Sequence, residues 1–313
     1  MKHATRCGIV LAAFCSALGG AIGTSKADTL SLPAAADTFI NSGSPGNSAG
    51  GNAWFDAGAD GQLTPGVRRG LLRFNLTSLP SGATITSAVV QLTVIRVPFS
   101  GPINSTFDLR RVTAAWGEGT NSGSSGLPAV TGDATWTARI LGTANWTAAG
   151  ALNDAAANAS ASTPVGSTPN ATYLWSGAGL VSDVQLWLNN PSQNFGWLLT
   201  SQDEASGRTV RGFAARENGA SVPMLQIGYK PPPTPPLLTG AGPAGQGGFR
   251  FAFTNKPGFT FSVLAATNVS LPISNWSVVG SVTDAPPGSG SYQFTDAGAT
   301  TNRPRSFYRV RWP

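Results

Sequence analysis

The stretch RGLLRFNLTSLPSGATITSAVVQLTVI, residues 69–95, decides the fold class. Apolar and polar residues alternate at 72–76 and again at 90–94, which is the period of half-buried β-strands. Only a short segment containing Pro80-Ser81-Gly82 separates the two runs. We therefore predict two strands that are antiparallel neighbours in an all-β fold.

The remainder of residues 28–229 extends this pattern into a jelly-roll-like β-sandwich. Leu225, Ile227 and Tyr229 alternate as a closing strand. Apolar residues recur at helical spacing just before Pro191, which predicts one short helix from about Ser182 to Asn189. Segments rich in Gly, Ser, Ala and Asn are predicted as surface loops: 41–66, 117–132 and 147–172.

A change of composition marks the end of this domain. Residues 230–248 are rich in Pro and then in Gly, which predicts a spacer that is extended and then flexible. Residues 249–313, with six basic and two acidic residues, are then predicted to form a small β-sandwich. Five short apolar runs predict its strands: 249–253, 259–265, 276–282, 291–295 and 307–312.

The first 27 residues have the pattern of a signal peptide. Lys2 and Arg6 precede an apolar stretch, and Ser25-Lys26-Ala27 is a small-x-small cleavage site. The apolar stretch is shorter than the roughly 20 residues of a membrane span. We therefore expect a secreted protein, extracellular or at the cell surface, without a membrane span.

Removal of this segment limits the chemistry that is left. The single His and both Cys of the 313 residues precede the cleavage site, and the formal net charge falls from +6 to +3. Without imidazole or thiolate, a Ser-His-Asp triad, a cysteine nucleophile and a zinc site are excluded. Only 11% of the residues are charged, which argues against a nucleic-acid partner. We expect a non-enzymatic protein.

Several motifs occur in a fixed order between residues 69 and 218. They are Arg69-Gly70-Leu71-Leu72-Arg73-Phe74-Asn75-Leu76, Leu109-Arg110-Arg111-Val112-Thr113-Ala114-Ala115-Trp116-Gly117-Glu118, Asp133-Ala134-Thr135-Trp136, Asp183-Val184-Gln185-Leu186-Trp187-Leu188 and Phe213-Ala214-Ala215-Arg216-Glu217-Asn218. This series resembles that of bacterial DNRLRE-domain proteins, described as carbohydrate-binding module family 96. The literal DNRLRE string is missing, and a Gly-Gly-Asp element is replaced by Ala149-Gly150-Ala151-Leu152. The resemblance implies a secreted β-sandwich, with polysaccharide binding in some members.

The second domain carries a shorter resemblance. Ser274-Asn275-Trp276, Phe294-Thr295-Asp296 and the segment 305–310 are similar to the small immunoglobulin-like module that often ends secreted proteins of this kind.

Sugar binding requires aromatic side chains beside charged and amide groups. Trp54, Trp116, Trp146 and Trp175 lie in or beside polar loops, and we take them as candidate ligand-binding residues. The alternative is that they are buried in the core or anchor the loops.

Arginine and glutamate residues of the motifs are further candidates for ligand binding: Arg110, Arg111, Glu118 and Arg216. Arginines bind carboxylates through two parallel hydrogen bonds, so they could hold an acidic polysaccharide such as alginate. The favoured alternative is that Arg216 or Arg111 pairs with Glu118 or Glu217 and braces loops at the end of the sandwich.

No cofactor is expected, although calcium stays open because it accepts carboxylate ligands. The weak candidates are Asp37, Asp56 and Asp60, which flank a glycine-rich loop. The sequence thus predicts a polysaccharide-binding protein. A structural surface or matrix protein without a glycan ligand is the alternative, and an accessory part of a polysaccharide-degrading system is the third.

Overall fold

The structure, a computed structural model, describes residues 27–61, 66–299 and 306–312. The predicted signal peptide lies outside the described residues except for Ala27. The described residues form two compact units that divide between Pro232 and Pro233.

The first unit is built of strands, with one α-helix among its described residues. Their bounds are β1 (Asp28–Asn41), β2 (Asn47–Ser48), β3 (Trp54–Ala59), β4 (Val67–Phe74), β5 (Thr84–Arg96), β6 (Ser105–Arg111), β7 (Leu127–Pro128), β8 (Ala138–Ile140), β9 (Ala144–Asn145), β10 (Ala161–Val165), β11 (Thr172–Ser176), α1 (Ala178–Asn189), β12 (Trp197–Ser201), β13 (Arg211–Ala214) and β14 (Met224–Lys230). The predicted all-β class with one short helix is confirmed.

The long strand β1 belongs to both layers of the sandwich. Its first half pairs with β14 and its second half with β4, and the register shifts between Ala34 and Ala36. One layer therefore has the order β11-β5-β14-β1, and the other has the order β1-β4-β12-β6-β10. Strands β13 and β3 connect the two layers at the far side, where β13 pairs with β5 and β3 pairs with β4.

The predicted pairing of the two strands in residues 69–95 is wrong. Strand β4 pairs with β1, β3 and β12, whereas β5 pairs with β11, β13 and β14. Leu76, Leu79 and Ala83 in the connection between them are buried in the interior. The chain thus crosses from one layer to the other, because a connection with its own apolar residues is too long and too buried for a tight hairpin turn.

The alternation of apolar residues is confirmed, and it builds the main core. Val90, Leu92 and Val94 of β5 are fully buried, and they face Leu72 and Phe74 from the other layer. The helix α1 begins four residues before its predicted start and adds its apolar face to the same core. All three predicted loops are wrong in part, since β2 and β3 lie within 41–66, β7 within 117–132 and β10 within 147–172.

A second apolar cluster covers the outer face of the β4-β12-β6 layer. Leu71 and Leu198 alternate in sequence with residues of the main core, so they project from the opposite face of the sheet. The long connection from β6 to β10 folds over them with Trp116 and Trp146. The connection thereby covers one part of this outer face and leaves another part uncovered.

The second unit contains two three-stranded antiparallel sheets with an aromatic core between them. Its strands are β15 (Thr239–Ala244), β16 (Gly248–Thr254), β17 (Thr260–Ala266), β18 (Ser277–Thr283), β19 (Ser291–Asp296) and β20 (Phe307–Arg311). The sheets have the orders β15-β16-β19 and β18-β17-β20. All five predicted strands are confirmed within two residues at each end.

The predicted spacer at 230–248 is too long at its C-terminal end. Residues Thr239–Ala244 form β15, which pairs with β16. Glycine and alanine suggested a flexible coil, but here the backbone hydrogen bonds of the sheet determine the conformation, and these need no particular side chain.

Candidate functional site

Three of the four candidate tryptophans are buried, which contradicts their use as a glycan-stacking surface. Trp175 is fully buried and donates from Nε1 to the carbonyl of Phe107 over 2.7 Å. Trp116 and Trp146 are each 5% exposed and also donate to backbone carbonyls, over 2.7 and 2.9 Å. Trp175 thereby joins β11 to β6, Trp116 joins the connection after β6 to the segment before β12, and Trp146 bonds within that connection. The ring faces therefore serve packing instead of ligand contact.

Trp54 at the start of β3 is the remaining candidate, and it is half-buried. The guanidinium carbon of Arg96 lies 4.1 Å from the centre of its ring. A cation on the ring face is a favourable contact in proteins. One face of Trp54 is therefore covered by a side chain of the same chain.

The expected loop brace between Arg216 and Glu118 is present. Arg216 donates from Nε and Nη2 to the two carboxylate oxygens of Glu118, over 2.7 and 3.2 Å. Glu118 also accepts the backbone N–H of Asp37 over 2.8 Å, and Asp37 in turn accepts the backbone N–H of Arg216 over 2.9 Å. This closed set of contacts joins β1, the loop after β6 and the turn after β13.

Burial dominates the electrostatics of this brace. It raises the pKa of Asp37 from 3.8 to about 8, against the lowering effect of the hydrogen bond from Arg216. Burial likewise raises the pKa of Glu217, whose carboxylate lies 2.9 Å from Arg216 Nε. Arg216 is thus held between two glutamates at the end of the sandwich.

The three aspartates considered for calcium do not form one site. Asp56 pairs with Arg68, and Asp60 lies 3.9 Å from the same guanidinium, whereas Asp37 belongs to the Arg216 brace. Arg68 occupies the position between Asp56 and Asp60 that a cation would need. Within residues 27–61, 66–299 and 306–312, no group of three or more His, Cys, Asp or Glu side chains could hold a metal ion.

The neighbouring motif arginines have different roles. Arg111 pairs with Asp183 of α1 over 3.0 Å, and the same carboxylate accepts Trp197 Nε1 over 2.8 Å. Arg111 therefore braces the helix against the sheet. Arg110 points to the other face of β6, where it pairs with Asp108 over 2.9 Å and donates to the carbonyl of Ala157.

Arg110 lines an open groove of about 430 Å³ on the outer face of the β4-β12-β6 layer, which we call the polar groove. Strand β6, the end of β12 with the residues after it, and the connection to β10 line this groove. Its lining residues are Asp108, Arg110, Leu152, Ala156, Ala157, Thr200, Ser201, Gln202 and Glu204.

A row of polar side chains crosses the sheet at this groove. Asp108 lies opposite Thr200 of β12 on one side and opposite Ser162 of β10 on the other. Its Oδ1 accepts from Ser162 Oγ over 2.6 Å and from Gln202 Nε2 over 2.9 Å. The buried carboxylate of Asp108 thus fixes the orientation of the Arg110 and Gln202 side chains.

Glu204 is fixed in a similar way. Its two oxygens accept from Nε and Nη2 of Arg69 over 2.9 and 2.7 Å. Arg69 also donates to the carbonyl of Gly150 over 2.6 Å, and its guanidinium lies 5.0 Å from the centre of the Trp136 ring. Gly150 adopts φ +87°, and a Cβ there would meet the Trp136 ring at 2.7 Å. The groove is therefore supported by a rigid set of contacts behind it.

Sequence reasoning missed most of the groove. Asp108 and Arg110 are two residues apart in β6 and share one face of the strand. This spacing could have predicted that they lie in one site. Gln202 and Glu204 follow a fully buried strand, and only the pairing of β12 with β6 brings them beside Asp108.

Comparisons with known proteins do not identify a family. No protein-family model matches this chain, and no match is found among curated proteins. Among the described residues, no helix is long and apolar enough to cross a membrane.

Proposed function

We propose that the first unit is a non-catalytic polysaccharide-binding β-sandwich of the DNRLRE type that its motifs resemble, and that the polar groove is its binding site. The observation that carries this proposal is the position of Arg110, Gln202 and Thr200 along one open groove. Its volume of about 430 Å³ lies within the roughly 300–1,000 Å³ of small-molecule sites. The smaller pocket beside Asp56 and Arg68, about 170 Å³, lies below that range.

The lining has the functional groups that sugar hydroxyls need. Arginine and amide N–H groups donate, carboxylate oxygens accept, and the hydroxyl of Thr200 does both. Leu152 is 41% exposed and supplies an apolar contact for a ring face. Contacts within the chain already fix the side chains of Arg110 and Gln202. Ligand binding would therefore cost little side-chain entropy of the protein.

The charges of the groove favour a neutral polysaccharide over an acidic one. Asp108 and Glu204 balance Arg110 and Arg69, which leaves no excess positive charge for a uronate chain. Both carboxylates are also engaged by donors from the chain itself. This engagement supports a binding role, because a general acid must be available to protonate the substrate.

The proposed location is extracellular, since a polysaccharide of this kind is met outside the cell. The leader-like pattern of residues 1–27 supports it. Mass spectrometry of the protein recovered from culture medium tests it, and a mature N-terminus at Asp28 is the expected result.

An array of neutral and acidic glycans tests the proposed ligand class. We expect binding of one or more neutral polysaccharides by the wild type, with the signal lost in R110A and in Q202A. Arg73 provides a matched control, because it lies on the same sheet over the Trp116 ring and does not line the groove. Equal binding by R73A and R110A would contradict the proposal.

A structural surface or matrix protein is the second candidate function. The burial of Trp116, Trp146 and Trp175, together with the bracing by Arg111 and Arg216, favours it, because these residues stabilise loops of the sandwich. Under this alternative the array shows no binding, and the same variants lose thermal stability alone.

A further inference from the structure

The second unit contains a groove of about 530 Å³ along the edge of strand β20, which we call the edge groove. One wall consists of consecutive residues of β20 and its end, 308–312. The other lining residues are the proline-rich segment 233–236 with Leu238, and Phe261 and Ile273. Because five consecutive residues of a strand line it irrespective of their face, the groove runs along the backbone of the strand.

Strand β20 pairs with β17 on one side. Its register with β17 places Val310 opposite Val263 and Arg309 opposite Leu264. Among the described residues, no strand pairs with its other side. Backbone N–H and C=O groups on such an edge are a template for another strand.

The chain's own proline-rich segment is poorly suited to fill this edge. Pro233, Pro235 and Pro236 have no N–H group to donate to β20. The carbonyl of Thr234 accepts Asn255 Nδ2 over 2.7 Å, which ties the segment to the residue that follows β16. The segment therefore lines the groove of about 530 Å³ without pairing with β20 as a strand.

The side chains along the edge define what an added strand would need. Arg309 and Arg311 are exposed and lie on one face, whereas Tyr308 and Val310 pack towards the aromatic core. The domain at 249–313 carries six basic and two acidic residues, so its charge also attracts an acidic partner. An added strand would meet the two arginines at alternate positions and apolar surface at the positions between them.

We propose that the edge of β20 binds an extended, acidic segment of another protein by strand addition, with Asp or Glu alternating with apolar residues. Backbone hydrogen bonds to β20 supply affinity, and Arg309 and Arg311 supply specificity. Prolines and charged residues also protect strand edges against aggregation. A protected edge needs no open groove beside it, however, and here an open groove of about 530 Å³ lies along the edge.

Fluorescence anisotropy of the full chain with a labelled peptide of roughly seven alternating Glu and Val residues, about the length of one strand, tests this proposal. We expect binding that weakens at least about tenfold in the double variant R309E/R311E, a loss of roughly 1.4 kcal/mol. Arg250 is the matched control, since it is exposed on the other sheet at β16, and R250E should bind as the wild type does. The melting temperature of each variant reports whether the domain is still folded.

Two peptide controls separate strand addition from simple charge attraction. The same peptide with alternate amides N-methylated should fail to bind, and a Lys-Val peptide should also fail. The proposal is overturned if the N-methylated peptide binds as well as the parent, if R309E/R311E retains full affinity while folded, or if no peptide binds. Arginine-dependent binding of a polyuronate without binding of the peptide, or dimerisation of the chain through β20, would also overturn it.

Discussion

Arg216 donates to both carboxylate oxygens of Glu118, a residue 98 positions earlier in the chain, over 2.7 and 3.2 Å. The same Oε1 atom accepts the backbone N–H of Asp37 over 2.8 Å. One glutamate thus joins a solvent-facing ion pair to a partly buried backbone group, and the two contacts differ in their contribution to stability.

Replacing Glu118 should destabilise the fold more than replacing Arg216. E118A removes the acceptor of the Asp37 N–H, which costs about 1–3 kcal/mol when the donor stays buried. R216A removes the ion pairs with Glu118 and Glu217 and leaves the backbone contacts in place. The Arg216 side chain is 41% exposed, so a loss of less than about 1 kcal/mol is expected. Urea unfolding of both variants measures the difference. If R216A lowers the free energy of unfolding as much as E118A does, the backbone contact of Glu118 does not contribute more than its ion pair.

The buried carboxyl of Asp37 makes stability depend on pH. Its pKa is raised by burial from 3.8 to about 8, so the folded chain holds a proton there that the unfolded chain releases above 3.8. This contribution is complete below the unfolded value and is lost as the pH rises through about 8. D37N, which cannot ionise, should therefore flatten the decline of the unfolding free energy between these two values.

The exposed Asp28 at the start of β1 provides the control for that titration. Urea unfolding at several pH values should give D28N the same slope as the wild type. If D37N also keeps the wild-type slope, Asp37 does not carry the pH dependence.

Trp175 should matter for stability and not for ligand binding. W175F removes the N–H that satisfies the carbonyl of Phe107 and leaves a cavity in the main core, which together cost about 2–3 kcal/mol. The glycan affinity of the folded variant should be unchanged. W54F is the comparison, because Trp54 is half-buried, and it should cost less than about 1 kcal/mol. A loss of glycan binding in folded W175F would restore the hypothesis that the candidate tryptophans bind a glycan.

The sequence predicted those elements whose side chains follow a clear period. Strand β5 and helix α1 have such periods, and both occur close to the predicted positions. Strand β3, with the sequence WFDAGA, has none, and Gly58 within it adopts φ +107°. Small residues allow close packing there, and only the neighbouring strands make this segment extended.

The site was less predictable than the fold, because it depends on which strands are neighbours. Trp116 and Trp146 lie in irregular loops, and polar sequence around them suggested exposure. Their burial results from the long connection folding over the outer face of the sheet, a contact with distant residues such as Leu71 and Leu198. Arg110 is among the predicted residues and lines the polar groove, whereas its partners Asp108 and Gln202 come together only through the sheet.

Calorimetric titration tests the central claim most directly. The wild type, R110A, Q202A and R73A would each be titrated with neutral oligosaccharides of the cellulose, xylan, laminarin and starch types, and with oligouronates. We expect the wild type and R73A to bind a neutral oligosaccharide with equal affinity, and R110A and Q202A to bind it at least about tenfold more weakly. Binding by all four proteins alike, or by none of them, would contradict the assignment of the polar groove as a polysaccharide-binding site.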